Sequence, residues 1–234
     1  MKTINSALLA SAAVASFVAA AGTARAQSSP ETAGTFWDQS VAAPSDALEL
    51  TVGTGYTQGF GQYQKGSVNN LKDVAGPGIG FDLGVGYRLS PTWMIGATGA
   101  YQAYDAGNFE GDTSAGGAIG RVDATYHLAT YSRLDPWIKG GLGYRYLCEC
   151  GTPSTRAGAR LHGFELLNLS AGLDLRFDKQ VALSPIVGAS LTTFLWDRTD
   201  AIADPRLGVF AYGGLQARFD IGGSYARPMG IAAR

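Results

Sequence analysis

The groups through which this chain could do chemistry fall into three sets. The largest is Glu49, Asp82, Arg88, Arg121, Asp123, Lys139, Arg145, Asp174, Arg176 and Arg218, each flanked by apolar or small residues on both sides. Carboxylates and guanidiniums gathered on one face can pair with one another and fill the space they share, or they can line a narrow, gated path for ions. The second set is the histidines. His127 shares the alternation of the charged residues, whereas His162 stands three residues before Glu165, with Ser154 in the same polar stretch. A Ser–His pair can hydrolyse esters, but only with the hydroxyl and its base within hydrogen-bond reach. No Ser-x-His or His-x-Ser spacing supplies that here, so no catalytic residue is assigned and the chain is read as non-enzymatic. The third set is Cys148 and Cys150, spaced C-x-C and the only cysteines. An oxidising compartment would make them a local disulfide. Two thiolates with no nearby pair of histidines fall short of a zinc site, so neither a metal nor a cofactor is assigned.

The elements that must position these groups have a two-residue period. From Pro77 to Ser90, Ile79, Phe81, Leu83, Val85, Tyr87 and Leu89 make one face, and Gly80, Asp82, Gly84, Gly86 and Arg88 make the other. Strands send successive side chains to opposite sides, so this is strand and not helix. The same alternation predicts strands over residues 47–60, 77–90, 93–104, 118–130, 137–148, 164–177, 181–196 and 208–221. Between them, polar connections at 61–76, 105–117, 149–163 and 197–207 alternate with short turns at 90–92, 131–136 and 178–180. An even number of strands with long loops on one side and short turns on the other is the pattern of a transmembrane barrel.

Composition agrees. There are 33 glycines in 234 residues and only 16% charged residues, which points away from a helical protein. The formal net charge of −1 gives no basic surface for nucleic acid. Lys2, the alanine-rich run Ala7 to Ala21 and the Ala24-Arg25-Ala26 triplet predict a cleaved signal peptide over residues 1–26. That run is shorter than the roughly 20 residues that a spanning helix needs. Two further patterns separate a membrane barrel from a soluble one. A soluble core could not hold the ten alternating charges without a large desolvation cost, whereas a membrane barrel faces lipid with its apolar side. Aromatics also gather near strand ends, with Tyr87, Trp93, Tyr131, Trp137, Phe177 and Phe219 towards the short turns. Tyr56, Phe60, Tyr101, Tyr104, Tyr144, Tyr146, Phe164, Phe194 and Trp196 lie towards the long loops. Two such girdles mark membrane interfaces.

The segments Gly80-Phe81-Asp82-Leu83-Gly84-Val85-Gly86-Tyr87, Pro136 to Tyr144 and Gly213 to Phe219 resemble the eight-stranded bacterial outer-membrane β-barrel family, of which the OmpA transmembrane domain is a member. The resemblance implies an all-β, antiparallel, up-and-down barrel over residues 47–221, after a periplasmic leader at 27–46 and before a periplasmic tail at 222–234. It implies export to the outer membrane of a Gram-negative bacterium, with barrel-assembly machinery, lipid and lipopolysaccharide as partners, and a monomeric state. Phe219 takes the place of the family's closing aromatic, although Asp220 to Arg234 run on beyond it. The peptidoglycan-binding domain that follows the OmpA barrel has no counterpart here, so wall anchoring is not implied. The expected function is an envelope structural or surface-interaction role through four external loops, with a lumen plugged by charged side chains. A small porin-like channel is the alternative, and a rim-sited lipid hydrolase the third reading.

Overall fold

The structure is a computed structural model describing residues 41–66, 70–105, 114–149 and 160–225. The expected signal peptide, most of the leader, Ser154 and Cys150 lie outside those residues. In chain order the elements are β1 (Ser45–Phe60), α1 (Leu71–Val74), β2 (Gly78–Arg88), β3 (Trp93–Asp105), β4 (Ser114–His127) and β5 (Leu134–Glu149). They continue with β6 (Arg160–Arg176), β7 (Val181–Asp197), the two-residue β8 (Asp200–Ala201) and β9 (Leu207–Ser224). Each long strand pairs antiparallel with the next, and β9 returns to pair β1. The result is a closed eight-stranded barrel, with β8 folded back on the end of β7. Closure matters because a strand edge left open would expose unpaired N–H and C=O groups, which lipid cannot satisfy.

The two-residue period holds along the wall. Leu83, Val85, Ile95, Val122, Ile138, Leu142, Leu169, Val187 and Leu215 are exposed on the outside, and the polar residues between them face the lumen. In β6 the sequence Glu165-Leu166-Leu167-Asn168 breaks the parity, because a bulge inserts one extra residue opposite Gly141–Gly143. Both leucines therefore stay outside while Glu165 and Asn168 both stay inside. A second irregularity at β7 keeps Phe194 in the lumen and lets Trp196 turn outward.

Three residues assigned to the girdles are lumen residues instead. Trp137, Tyr104 and Phe194 are all buried. Each has the strand parity of an inward neighbour, Trp137 with Lys139, Tyr104 with Gln102, and Phe194 with Thr192. Parity outranks nearness to a strand end, since a side chain cannot cross the wall. The polar connection 61–76 is more structured than its composition implies. It contains α1, whose Leu71 and Val74 are buried in the loop-side mouth. At the other end β9 runs past Phe219 to Ser224, and Val41 and Ala43 ahead of β1 are buried, with Ala43 N–H donating to Thr130 O at 2.8 Å.

Candidate functional site

The lumen is filled in three successive zones. On the short-turn side is a buried ion cluster contributed by seven strands. Arg88 pairs with Glu49 at 2.6 Å and with Asp220 at 3.5 Å. Arg176 pairs with Asp220 at 2.9 Å. Arg218 sits between Glu49 and Asp174, 3.3 Å from each. Asp174 also accepts from the Trp137 indole N–H at 2.7 Å and from the Ser184 hydroxyl. Gly172 leaves room for Trp137 in this layer, since a Cβ there would overlap the ring. The Arg218 and Lys139 cations flank that ring at 5.3 and 5.4 Å.

His127 belongs to the same cluster. An arginine can only donate, so the 2.8 Å contact from Arg218 makes His127 Nε2 the acceptor. Nδ1–H then donates to Asp135 Oδ2 at 2.9 Å, and Asp135 Oδ1 in turn accepts from the Ala129 N–H. His127, Asp135 and Asp174 present ligand atoms within 4.8 Å of one another, as a cation site would. Arg218 already bonds His127 Nε2 and pairs with Asp174, which Arg176 also approaches, and Asp135 is taken up by His127 and the Ala129 N–H, so the donor set is committed.

In the middle zone Asp82, Arg121 and Lys139 line a cavity of about 60 Å³, with Asp123 and Glu165 beside them. Asp123 accepts from Thr98 at 2.7 Å, Asp82 from Gln216 Nε2 at 3.1 Å, and Arg121 reaches Glu165 at 3.5 Å. Above it, Arg145 donates to Glu165 and Gln102, each at 2.8 Å, and to Ser190 at 3.1 Å, with its guanidinium 3.7 Å from the Phe210 ring centre. The third zone is apolar. Leu71, Val74 and Ala75 from α1 and its end pack on Tyr104, Ala115, Leu147, Leu161, Phe194 and Phe210. Gly59 and Gly208 admit Leu71, and added Cβ atoms would lie 3.0 and 2.7 Å from it. The N–H of Gly59 donates to Ala75 O and that of Leu71 to Gly61 O, which ties the plug to the wall.

All ten charged residues singled out in the sequence thus face the lumen, in two groups. Glu49, Arg88, Asp174, Arg176 and Arg218 meet in the turn-side cluster, while Asp82, Arg121, Asp123, Lys139 and Arg145 lie in or above the middle zone. Sequence reasoning passed over Asp135, Glu165 and Asp220 as network members. Asp135 has the parity of Lys139, and Asp220 that of Arg218, so the signal was present for both; Glu165 was hidden by the bulge.

His162 and Glu165 do not meet. Glu165 points into the lumen, whereas His162 lies on the outer wall, stacked on Trp196 with ring centres 5.3 Å apart. Its Nδ1 meets the Tyr144 hydroxyl at 2.5 Å and its Nε2 meets Arg198 O at 2.8 Å, so both ring nitrogens are engaged. Among the described residues neither histidine bonds a serine, threonine or cysteine side chain. Cys148 is the last but one residue of β5 and is disulfide-bonded, while Cys150 lies outside the described residues.

Against solved structures, the chain is similar to neisserial surface protein A, with a TM-score of 0.53, 10% identity, and 74% of this chain and 96% of that one covered. The chain has the fold of an eight-stranded outer-membrane β-barrel. Further barrel similarities are to OprG of Pseudomonas aeruginosa, with a TM-score of 0.44, 11% identity and coverage of 76% and 98%, and to AlkL, with a TM-score of 0.47, 11% identity and coverage of 87% and 100%. No family model and no curated protein matches the sequence. The identities are low because an outer-membrane barrel constrains alternation and closure far more than it constrains particular residues.

Proposed function

We propose that the protein is an integral outer-membrane barrel with a closed lumen, a non-enzymatic envelope or surface-interaction protein that acts through its external loops. The observation that carries this reading is the double obstruction of the lumen. An ion would have to pass both the α1 plug with its apolar collar and the buried arginine–carboxylate cluster beneath. Among the described residues the first is lined by buried apolar side chains, with the Tyr104 hydroxyl turned to Gln102, and the second has its charges already paired. Supporting a non-enzymatic role, neither histidine ring meets a serine, threonine or cysteine side chain among the described residues. In this reading a signal peptide exports the chain, the short turns and both chain ends stay in the periplasm and the long loops lie outside, with outer-leaflet lipopolysaccharide around the rim of a monomer.

The test is to refold residues 27–234 and record conductance in planar bilayers, with insertion checked by protease protection. Inserted protein without reproducible current steps is the expected result. Reproducible steps that change in size with Arg121→Ala would replace this reading with that of a narrow channel.

A further inference from the structure

The turn-side ion cluster is drier than its place at the strand ends explains. Arg88, His127 and Arg176 are the last residues of β2, β4 and β6, and Asp135 is the second of β5, so their side chains stand at the end of the barrel. All four are nonetheless no more than 1% exposed. Something must therefore lie across them, and among the described residues two segments do. The first is the turn between β4 and β5, which folds inward. Thr130 and Arg133 are buried there, and Arg133 Nη1 donates to Arg176 O at 3.1 Å and to Phe177 O at 3.0 Å.

The second is the chain ahead of β1. Val41, Ala43 and Pro44 are buried, although they belong to no strand. The Ala43 N–H donates to Thr130 O at 2.8 Å, and Thr130 lies in the turn that leads into β5, the strand opposite β1 in the closed ring. Pro44 lies close to Gly223 of β9, where an added Cβ would come 3.1 Å from the proline Cβ. Strap and turn thus meet over the mouth. The strap is lightly held, since the bond to Thr130 is its only backbone hydrogen bond among the described residues. It joins β1 through Asp46, whose φ of +55° is in the left-handed region that residues other than glycine seldom adopt. A left-handed residue at the start of a strand, next to a lightly tied segment, is where a hinge would sit.

We infer that residues 41–44 form a hinged strap that closes the turn-side mouth over the ion cluster, and that lifting it from Thr130 admits water to the cluster. Opposite charges attract more strongly in a dry site than in water, so the strap couples the segment ahead of β1 to the stability of that end of the barrel. The inference goes beyond the closed lumen proposed above. A lifted strap leaves the α1 plug and the ion pairs in place, so the bilayer current stays silent with the strap up or down.

Ala182 supplies the reporter, a small inward residue that is 1% exposed and pairs with Arg176 on one side and Arg218 on the other. In protein carrying Cys148→Ser and Cys150→Ser, an Ala182→Cys thiol would be labelled in detergent micelles with a sulfonated methanethiosulfonate. Lys179→Cys, on the exposed turn before β7, is the open control. With the strap intact, labelling roughly a hundredfold or more slower than the control is expected, because it waits on local opening. Ala43→Asp puts a carboxylate where the strap is buried and should bring the reporter to within about tenfold of the control. Ala42→Asp, on the half-buried side of the strap, should leave it slow. If Ala43→Asp does not refold, Val41→Asp makes the same test two residues earlier. A reporter as fast as the control in the intact protein, one that stays slow with the aspartate at a buried strap position, or one quickened equally by Ala42→Asp would overturn the strap.

Discussion

Arg218 holds together the turn-side cluster, because its guanidinium faces Glu49, Asp174 and His127 at once. Arg218→Met would leave two buried carboxylates short of a counter-charge and remove the donor on His127 Nε2. Breaking a buried ion pair from one side costs about 3–5 kcal/mol, and a loss of that size should appear as a lowered urea midpoint in detergent micelles. Trp137→Phe deletes the bond to Asp174 and also leaves part of the indole's buried space unfilled. A hydrogen bond to a charged group contributes about 1.5–3 kcal/mol and the cavity adds to it, so the midpoint should fall by an amount comparable with that for Arg218→Met. Residues of this zone were largely legible in the sequence, because alternation alone puts Arg218, Asp174 and Lys139 on one face. What misled was using nearness to a strand end as a guide to aromatics. Trp137 was placed outside on that ground, although it is two residues from Lys139 on the same strand and must share its side.

Strands were legible as elements because the wall repeats one simple rule, but departures from the rule were not. The β6 bulge is written as two leucines between two inward polar residues, a signal visible only once both polar residues are known to be buried. The α1 plug left no period at all. Leu71, Val74 and Ala75 sit in a stretch of Gly, Lys, Asn and Asp, and four residues of helix are too short to show an amphipathic repeat. Leu71→Asp tests the plug, since it puts a carboxylate into a fully buried apolar site. Opening of the 61–76 connection to protease is expected, while the bilayer current stays silent because the ion cluster below remains. Pro185 is a different departure. It stands inside β7 on the outer face, and the β6–β7 pairing is interrupted around it, between Gly172–Ile186 and Leu175–Leu183, with no change of register. Proline has no N–H to give, and lipid supplies no water in its place. Pro185→Val should restore the missing ladder bond and raise the thermal midpoint in micelles, by an amount corresponding to about 1 kcal/mol.

At the scale of the whole molecule the apolar belt decides what surrounds the barrel. Leu142 is 57% exposed near the middle of β5, beside Val122 of β4, and belongs to a continuous ring of aliphatic residues. In water such a ring would be a liability far beyond the patches that soluble monomers tolerate, and the polar groups that should cover it are instead enclosed in the lumen. Reversing inside and outside satisfies both sets together. Lipid takes the leucines, and the buried charges, gathered from strands far apart in sequence, neutralise one another across the interior. Leu142→Arg separates the two settings. If the wall faced water, an exposed leucine could become arginine with little change in stability. Against a bilayer, an arginine at the midplane costs about 2–4 kcal/mol, falling to roughly 0–1 near the interface. Leu134→Arg, at the turn-side end of the same strand, should therefore be tolerated. Equilibrium unfolding of both variants in lipid vesicles is expected to show a large loss at Leu142 and a small one at Leu134. Equal, small losses at both positions would mean that the belt does not lie in lipid, and the membrane reading would fall with it.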